Sequence, residues 1–288
     1  MSIVTIKNEF LEVAISSVGA EIQSVRSNCG TEYIWQGDPA YWNKHAPVLF
    51  PICGGLNDGY YTLDGKRYDL TKHGFTRTAE FEICAQGEDH VEFLLCDSDE
   101  TYKSYPFHFE FRACYKLARN TLKVEFITKN LSERDMYFAC GSHEGYNLPG
   151  GIDGAKIIFE KPETLKNYLV EGGVMSPKYE IIGDGSDTLV LERKYFEIDA
   201  IILRELNSRS LTVCDALDGR RIKVDFPDFD HILIWQACGA PFVCIEPWTS
   251  LPDTYGSENR AIEKKESMTI LGAGESHTDR HDITFDEP

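Results

Sequence analysis

Basic residues are scarce in this sequence: 29 Lys and Arg stand against 47 Asp and Glu, a net charge of −18 over 288 residues. Nucleic acids and anionic membrane surfaces are held by clustered cations, so neither is expected as a partner. No apolar run approaches the roughly 18–20 residues of a spanning helix. The opening MSIVTIKNEF has no basic n-region and no long apolar h-region, and the expectation is a cytoplasmic protein. The nine cysteines are odd in number and no two are spaced C-x-x-C, which removes the common zinc and redox motifs. Several lie in apolar strand-like runs, where a thiol acts as a small hydrophobe, in keeping with a reducing compartment. G-x-S-x-G, the P-loop and G-x-G-x-x-G are also missing. No cofactor and no metal is expected.

Long helical patterns are missing as well. Only Glu163–Val170 and Glu258–Lys265 suggest short helices. Period-two alternation dominates instead. From Phe107 to Tyr115 one face carries Phe, Phe, Phe, Ala and Tyr, and the other His, Glu, Arg and Cys, the pattern of a half-buried antiparallel strand. Leu11–Ile15, Leu122–Ile127 and Ile222–Phe226 alternate similarly, while Ile232–Trp235 and Phe242–Ile245 read as buried strands. Asp64-Gly65 and Asp218-Gly219 are hairpin dipeptides, because the tight hairpin turn needs positive φ at both central positions. There is no internal repeat and no low-complexity linker. The fold class is therefore all-β: one large antiparallel β-sandwich over residues 1–288 with a few short helices. The polar residues 274–288 are expected as an exposed tail. His277 and His281 there have a helical metal-ligand spacing, but nothing suggests an ordered helix.

Four segments place polar groups where apolar strands break off. In Lys72-His73-Gly74-Phe75-Thr76-Arg77 a glycine lets the backbone bend while the imidazole projects, and Arg77 offers a fork of donors; the plainer reading is a hairpin end. In Cys140-Gly141-Ser142-His143-Glu144-Gly145 an apolar strand runs into small residues and presents His143, either a strand-end histidine or an acid–base group. In Val243-Cys244-Ile245-Glu246-Pro247-Trp248 a carboxylate closes an apolar run, and Pro247 removes the next ladder donor. Burying an unpaired carboxylate is costly, so Glu246 needs a partner or a task. Asp199 precedes the apolar run Ala200–Leu203, as a strand-entry residue or a ligand group.

Together these segments resemble the aldose 1-epimerase (galactose mutarotase-like) family, above all its LacX-like bacterial branch. The resemblance runs in order through APVLFPICGGLNDGYY, KHGFTR, CGSHEGYN, YFEIDAIIL and FVCIEPWTSLPD. It implies a β-supersandwich with an open cleft for a free hexose, whose α and β anomers are interconverted without cofactor or metal. By that resemblance His143 is the acid at the ring oxygen and Glu246 the base at the anomeric hydroxyl. His73 and Asp199 bind sugar hydroxyls, with Arg77 in the same motif as His73. Two positions depart from the pattern: Gly55, where many relatives carry Arg, and Glu144, a second negative charge next to His143. A non-catalytic sugar binder on this fold and a sugar-phosphate mutarotase are the rival readings, the latter ranked lower because Arg77 is the main cation in these motifs. A two-carboxylate glycosidase, pairing Glu246 with Asp199 or Asp253, ranks lower still.

Overall fold

The computed structural model describes residues 1–286. A nine-stranded antiparallel sheet forms one layer. Its strands run in the order Val174–Val190, Lys156–Glu171, Ser210–Cys214, Arg221–Asp225, Ser276–Asp286, Thr121–Asn130, Phe109–Ala118, His90–Cys96 and Glu82–Gln86. A second sheet orders Ile201–Arg204, His231–Trp235, Phe242–Trp248, Gly141–Ser142 and Val48–Leu49, with Glu144–Asn147 also pairing to Phe242–Trp248. A three-stranded sheet of Ile3–Lys7, Leu11–Ser16 and Ile22–Ser27, the hairpin Tyr60–Leu63 with Lys66–Asp69, and the long-range pair Met136–Phe138 with Thr269–Leu271 stand beside them.

The alternation read from the sequence explains how the layers meet. Phe109, Phe111, Ala113, Tyr115 and Leu117 of one strand are all buried. The ring of Phe50, just past the edge strand Val48–Leu49, stacks on Phe111 at 4.5 Å. Such ring pairs add about 0.5–1.5 kcal/mol to their area burial. Asp64 and Gly65 form the expected two-residue turn, with φ of 51° and 76°.

Two expectations fail. The segment from residue 274 is not an exposed tail: Ser276–Asp286 is an interior strand of the large sheet, flanked by Thr121–Asn130 and Arg221–Asp225. Its inward positions Asp279, His281, Ile283 and Phe285 are buried. Asp279 and His281 are polar, so composition hid the period; inside, Asp279 accepts from the Cys140 thiol at 3.1 Å. The last two residues of the expected tail, Glu287 and Pro288, lie outside the described residues. Glu163–Val170 is not a helix either, but part of the long strand Lys156–Glu171. Repeated register shifts against Val174–Val190 break its period-two pattern. Of Glu258–Lys265 only Ile262–Lys264 makes a single 3₁₀ turn.

Candidate active site

His143 falls between two short strand segments that pair with the same neighbour. Gly141 lies opposite Trp248 and Glu144 opposite Ile245. That shared register puts His143 directly across from Glu246. Leu233 faces Glu246 from the other side, and Ile202 faces Leu233. One transverse row of side chains, Ile202, Leu233, Glu246 and His143, therefore stands on the outer face of the second sheet. It forms the floor of a cavity of about 270 Å³, whose walls carry Lys44, Lys72, His73, Arg77 and Asp199. All five residues singled out from the sequence line this one cavity.

The His143 Nε2 lies 3.3 Å from Glu246 Oε2, and the two side chains are 13% and 2% exposed. The pair is in direct contact rather than separated by the width of a sugar ring. The imidazole is wedged by aromatic rings: Trp42 stacks on it at 5.0 Å, while His73 and Trp235 meet it edge-on at 5.8 and 5.7 Å. Its Nδ1 is buried without a hydrogen-bond partner.

Two effects oppose each other in this pair. Contact between imidazole and carboxyl favours the ionic form; burial favours the neutral one. Burial prevails. It lowers His143 to about 3, helped by the nearby Lys72 and Arg77 cations. It also pushes Glu246 well above the usual carboxylate range, against the pull of Lys72 and with the push of Asp199 and Glu144. A raised value for His143, which an imidazolium acid at neutral pH would need, is thus not what the site produces. Both shifts favour the neutral pair, with its titratable proton on Glu246.

His73 is fixed by its backbone. Its φ is +67°, a conformation uncommon for residues other than glycine. Gly74, at φ +73°, could carry no side chain, because a Cβ there would lie 2.0 Å from the Phe50 carbonyl oxygen. The Gly54 N–H donates to His73 Nδ1 at 3.1 Å, leaving the neutral ring's proton on Nε2. Burial, then the nearby His143, Lys72 and Arg77, hold His73 well below its ordinary value. Half-buried Arg77 donates through Nη2 to the Lys72 carbonyl at 2.8 Å, while its Nε is buried and unpartnered. Asp199 stands at the entry to Ile201–Arg204, in the wall the main cavity shares with a neighbouring one.

Both departures from the family pattern have a structural explanation. Glu144 follows His143 in sequence but points through the sheet to the opposite face. There it accepts from Ser142 Oγ at 2.7 Å and meets His281 Nε2 at 3.1 Å. It is not a wall of the cavity. At Gly55 a Cβ would stand 2.9 Å from the Gly173 carbonyl oxygen. The tip of the hairpin between Lys156–Glu171 and Val174–Val190 fills the space that an arginine there would need.

Sequence reasoning missed Lys44, Lys72, Trp42 and Trp235. Lys72 sits beside His73 in its motif and was within reach. Lys44 and Trp42 come from an irregular loop with no periodic signal.

Comparison with known proteins gives the family of the chain. The family model for aldose 1-epimerase matches residues 2–284. The chain belongs to the aldose 1-epimerase family. The plasmid-encoded protein LacX of Lactococcus lactis subsp. lactis is 32% identical over 297 aligned residues, covering 98% of this chain and 99% of LacX. A galactose mutarotase related enzyme from Lactobacillus acidophilus superposes with a TM-score of 0.94 at 32% identity, over 99% of this chain and 98% of its own. A galactose mutarotase-like protein from Lactobacillus casei ATCC 334 gives 0.94 at 28% identity, over 99% and 100%. The galactose mutarotase-like fold is therefore that of this chain. Among the described residues no helix is long and apolar enough to cross a membrane.

Proposed function

We propose that this protein is an aldose 1-epimerase acting on a free hexose, with Glu246 and His143 as its acid–base pair. The observation that carries the reading is their direct opposition, 3.3 Å apart, on the floor of a cavity. Ring opening removes one proton from the anomeric hydroxyl and delivers one to the ring oxygen. A pair holding a single proton can do both: one member gives its proton as the other takes one. The open-chain aldehyde turns about C1–C2 and closes on its other face, and the reverse exchange restores the pair. Passage of the proton from Glu246 to His143 gives the carboxylate and imidazolium in the roles the family implies, Glu246 as base and His143 as acid. Lys72 favours the carboxylate. His73, Arg77 and Asp199 bind and orient sugar hydroxyls, and Trp42 and Trp235 hold the imidazole plane. No cofactor takes part.

A second reading has a specific observation behind it. In a chain of net charge −18, Lys44, Lys72 and Arg77 converge on one cavity. The motifs alone showed little basic charge apart from Arg77; the cavity adds Lys44 and Lys72. A phosphorylated aldose would match that cluster.

NMR anomer exchange with α-galactose, α-glucose and an aldohexose 6-phosphate tests both readings. Wild-type protein is expected to speed exchange with a bell-shaped pH dependence belonging to the pair rather than to either residue. His143→Asn and Glu246→Gln should each lower kcat/KM by about 10²–10⁴-fold while the fold persists. Exchange at wild-type rate in both variants would refute the assignment. Saturable binding without acceleration would make the protein a sugar binder instead. Preference for the phosphate would select the second reading.

A further inference from the structure

Cys244 has no part in the acid–base chemistry, yet it belongs to the same constellation. It lies two residues before Glu246 on Phe242–Trp248, so both side chains emerge on one face of the sheet. It is paired with Gly145 and buried beneath Trp35, Trp42 and Trp235. One donor atom each from His143, Cys244 and Glu246 lie within 4.8 Å of one another. We infer that this trio is a binding site for a thiophilic divalent cation of the Zn²⁺ class, overlapping the sugar site.

The donor set is one zinc accepts: imidazole nitrogen, thiolate and carboxylate, with a fourth position open to the cavity. Bond lengths of about 2.0–2.3 Å place tetrahedral donors about 3.3–3.8 Å apart. His143 and Glu246 are already at 3.3 Å, and the thiol has to close the rest of the 4.8 Å spread on binding. Binding is balanced by the release of two protons, one from the Cys244 thiol and one from the Glu246 carboxyl, while neutral His143 gives a lone pair. The ion thereby occupies both members of the acid–base pair. Zn²⁺ binding is independent of what the enzyme does; the expectation that Zn²⁺ also inhibits rests on the mutarotase reading above.

The test uses the full chain and Co²⁺ as the spectroscopic probe. One equivalent is expected to give a thiolate-to-cobalt charge-transfer band in the near ultraviolet and tetrahedral d–d bands in the visible. Cys244→Ser and Glu246→Gln should each lose these bands. Zn²⁺ should abolish the Co²⁺ spectrum by displacement, slow anomer exchange in the wild type, and be reversed by EDTA. Cys244→Ser should keep wild-type exchange and need more than about 10-fold more Zn²⁺. Cys244→Ala, which places no buried hydroxyl among the surrounding tryptophans, repeats the measurement should the serine variant fold poorly. A wild-type protein without the charge-transfer band, or a band that survives removal of Cys244, overturns the inference. Equal Zn²⁺ midpoints in wild type and Cys244→Ser do so too. If the protein speeds no anomer exchange, the mutarotase reading fails and the cobalt spectrum still decides the metal site.

Discussion

The imidazole at the centre of the site should leave a measurable mark on stability. His143 titrates near 6.5 when free and at about 3 in the folded protein. Between those values the unfolded chain binds the proton and the folded one does not. Stability therefore rises with pH across this window and is lost as pH falls through it. Integrating from pH 7 to pH 4.5 with those two values gives a loss of roughly 2–3 kcal/mol from this one side chain. Glu246 has the opposite sign: its raised value makes the folded state hold a proton that the unfolded chain gives up, so its contribution shrinks as pH rises above the free carboxyl value. The clean comparison carries Glu246→Gln in both proteins and adds His143→Asn to one. Urea unfolding followed by tryptophan fluorescence at pH 7 and 4.5 then isolates the imidazole. The protein retaining His143 should lose roughly 2–3 kcal/mol more on acidification. Parallel pH dependences would show that His143 titrates near its free value even without the carboxylate, and the claim that burial depresses it would be wrong.

Two substitutions test the frame around the pair. Gly74→Ala sets a Cβ against the Phe50 carbonyl at a positive φ, and should destabilise by more than about 2 kcal/mol; an unchanged urea midpoint would refute the close approach. Glu144→Ala strips His281 and Ser142 of a buried acceptor and should cost about 3–5 kcal/mol, whereas Glu144→Gln, which keeps an acceptor, should cost about 1 kcal/mol. Equal midpoints for the two would contradict the hydrogen bonds drawn on the inner face.

The sandwich was legible because its rule is local. Phe109, Phe111, Ala113 and Tyr115 face one way whatever they meet, and alternation alone records that. Ser276–Asp286 obeys the same rule, but its inward Asp279 and His281 are polar, and their partners Cys140 and Glu144 lie over 130 residues away. Only the folded structure shows that these polar positions are inside. The site divides in the same manner. His73, Arg77, His143, Asp199 and Glu246 each sit in a segment with its own signal. Lys44 and Trp42 do not, and the cationic character of the cavity was underestimated for that reason.

Register explains why His143 and Glu144, adjacent in sequence, end in different chemistry. The segment Gly141–Asn147 pairs with Phe242–Trp248 on both sides of His143. Alternation then sends His143 outward to the cavity, opposite Glu246, and Glu144 inward to His281 on the large sheet. A shift of one residue in that pairing would exchange the two faces. It would bury the imidazole in the core and turn Glu144 to the cavity. The buried contact of Glu144 with His281 and Ser142 works against such a slip, since Glu144 would leave both without their partner. The carboxylate that looked in sequence like a disturbance beside His143 thus joins the contacts that hold this imidazole opposite Glu246, acting through the backbone from the far side of the sheet.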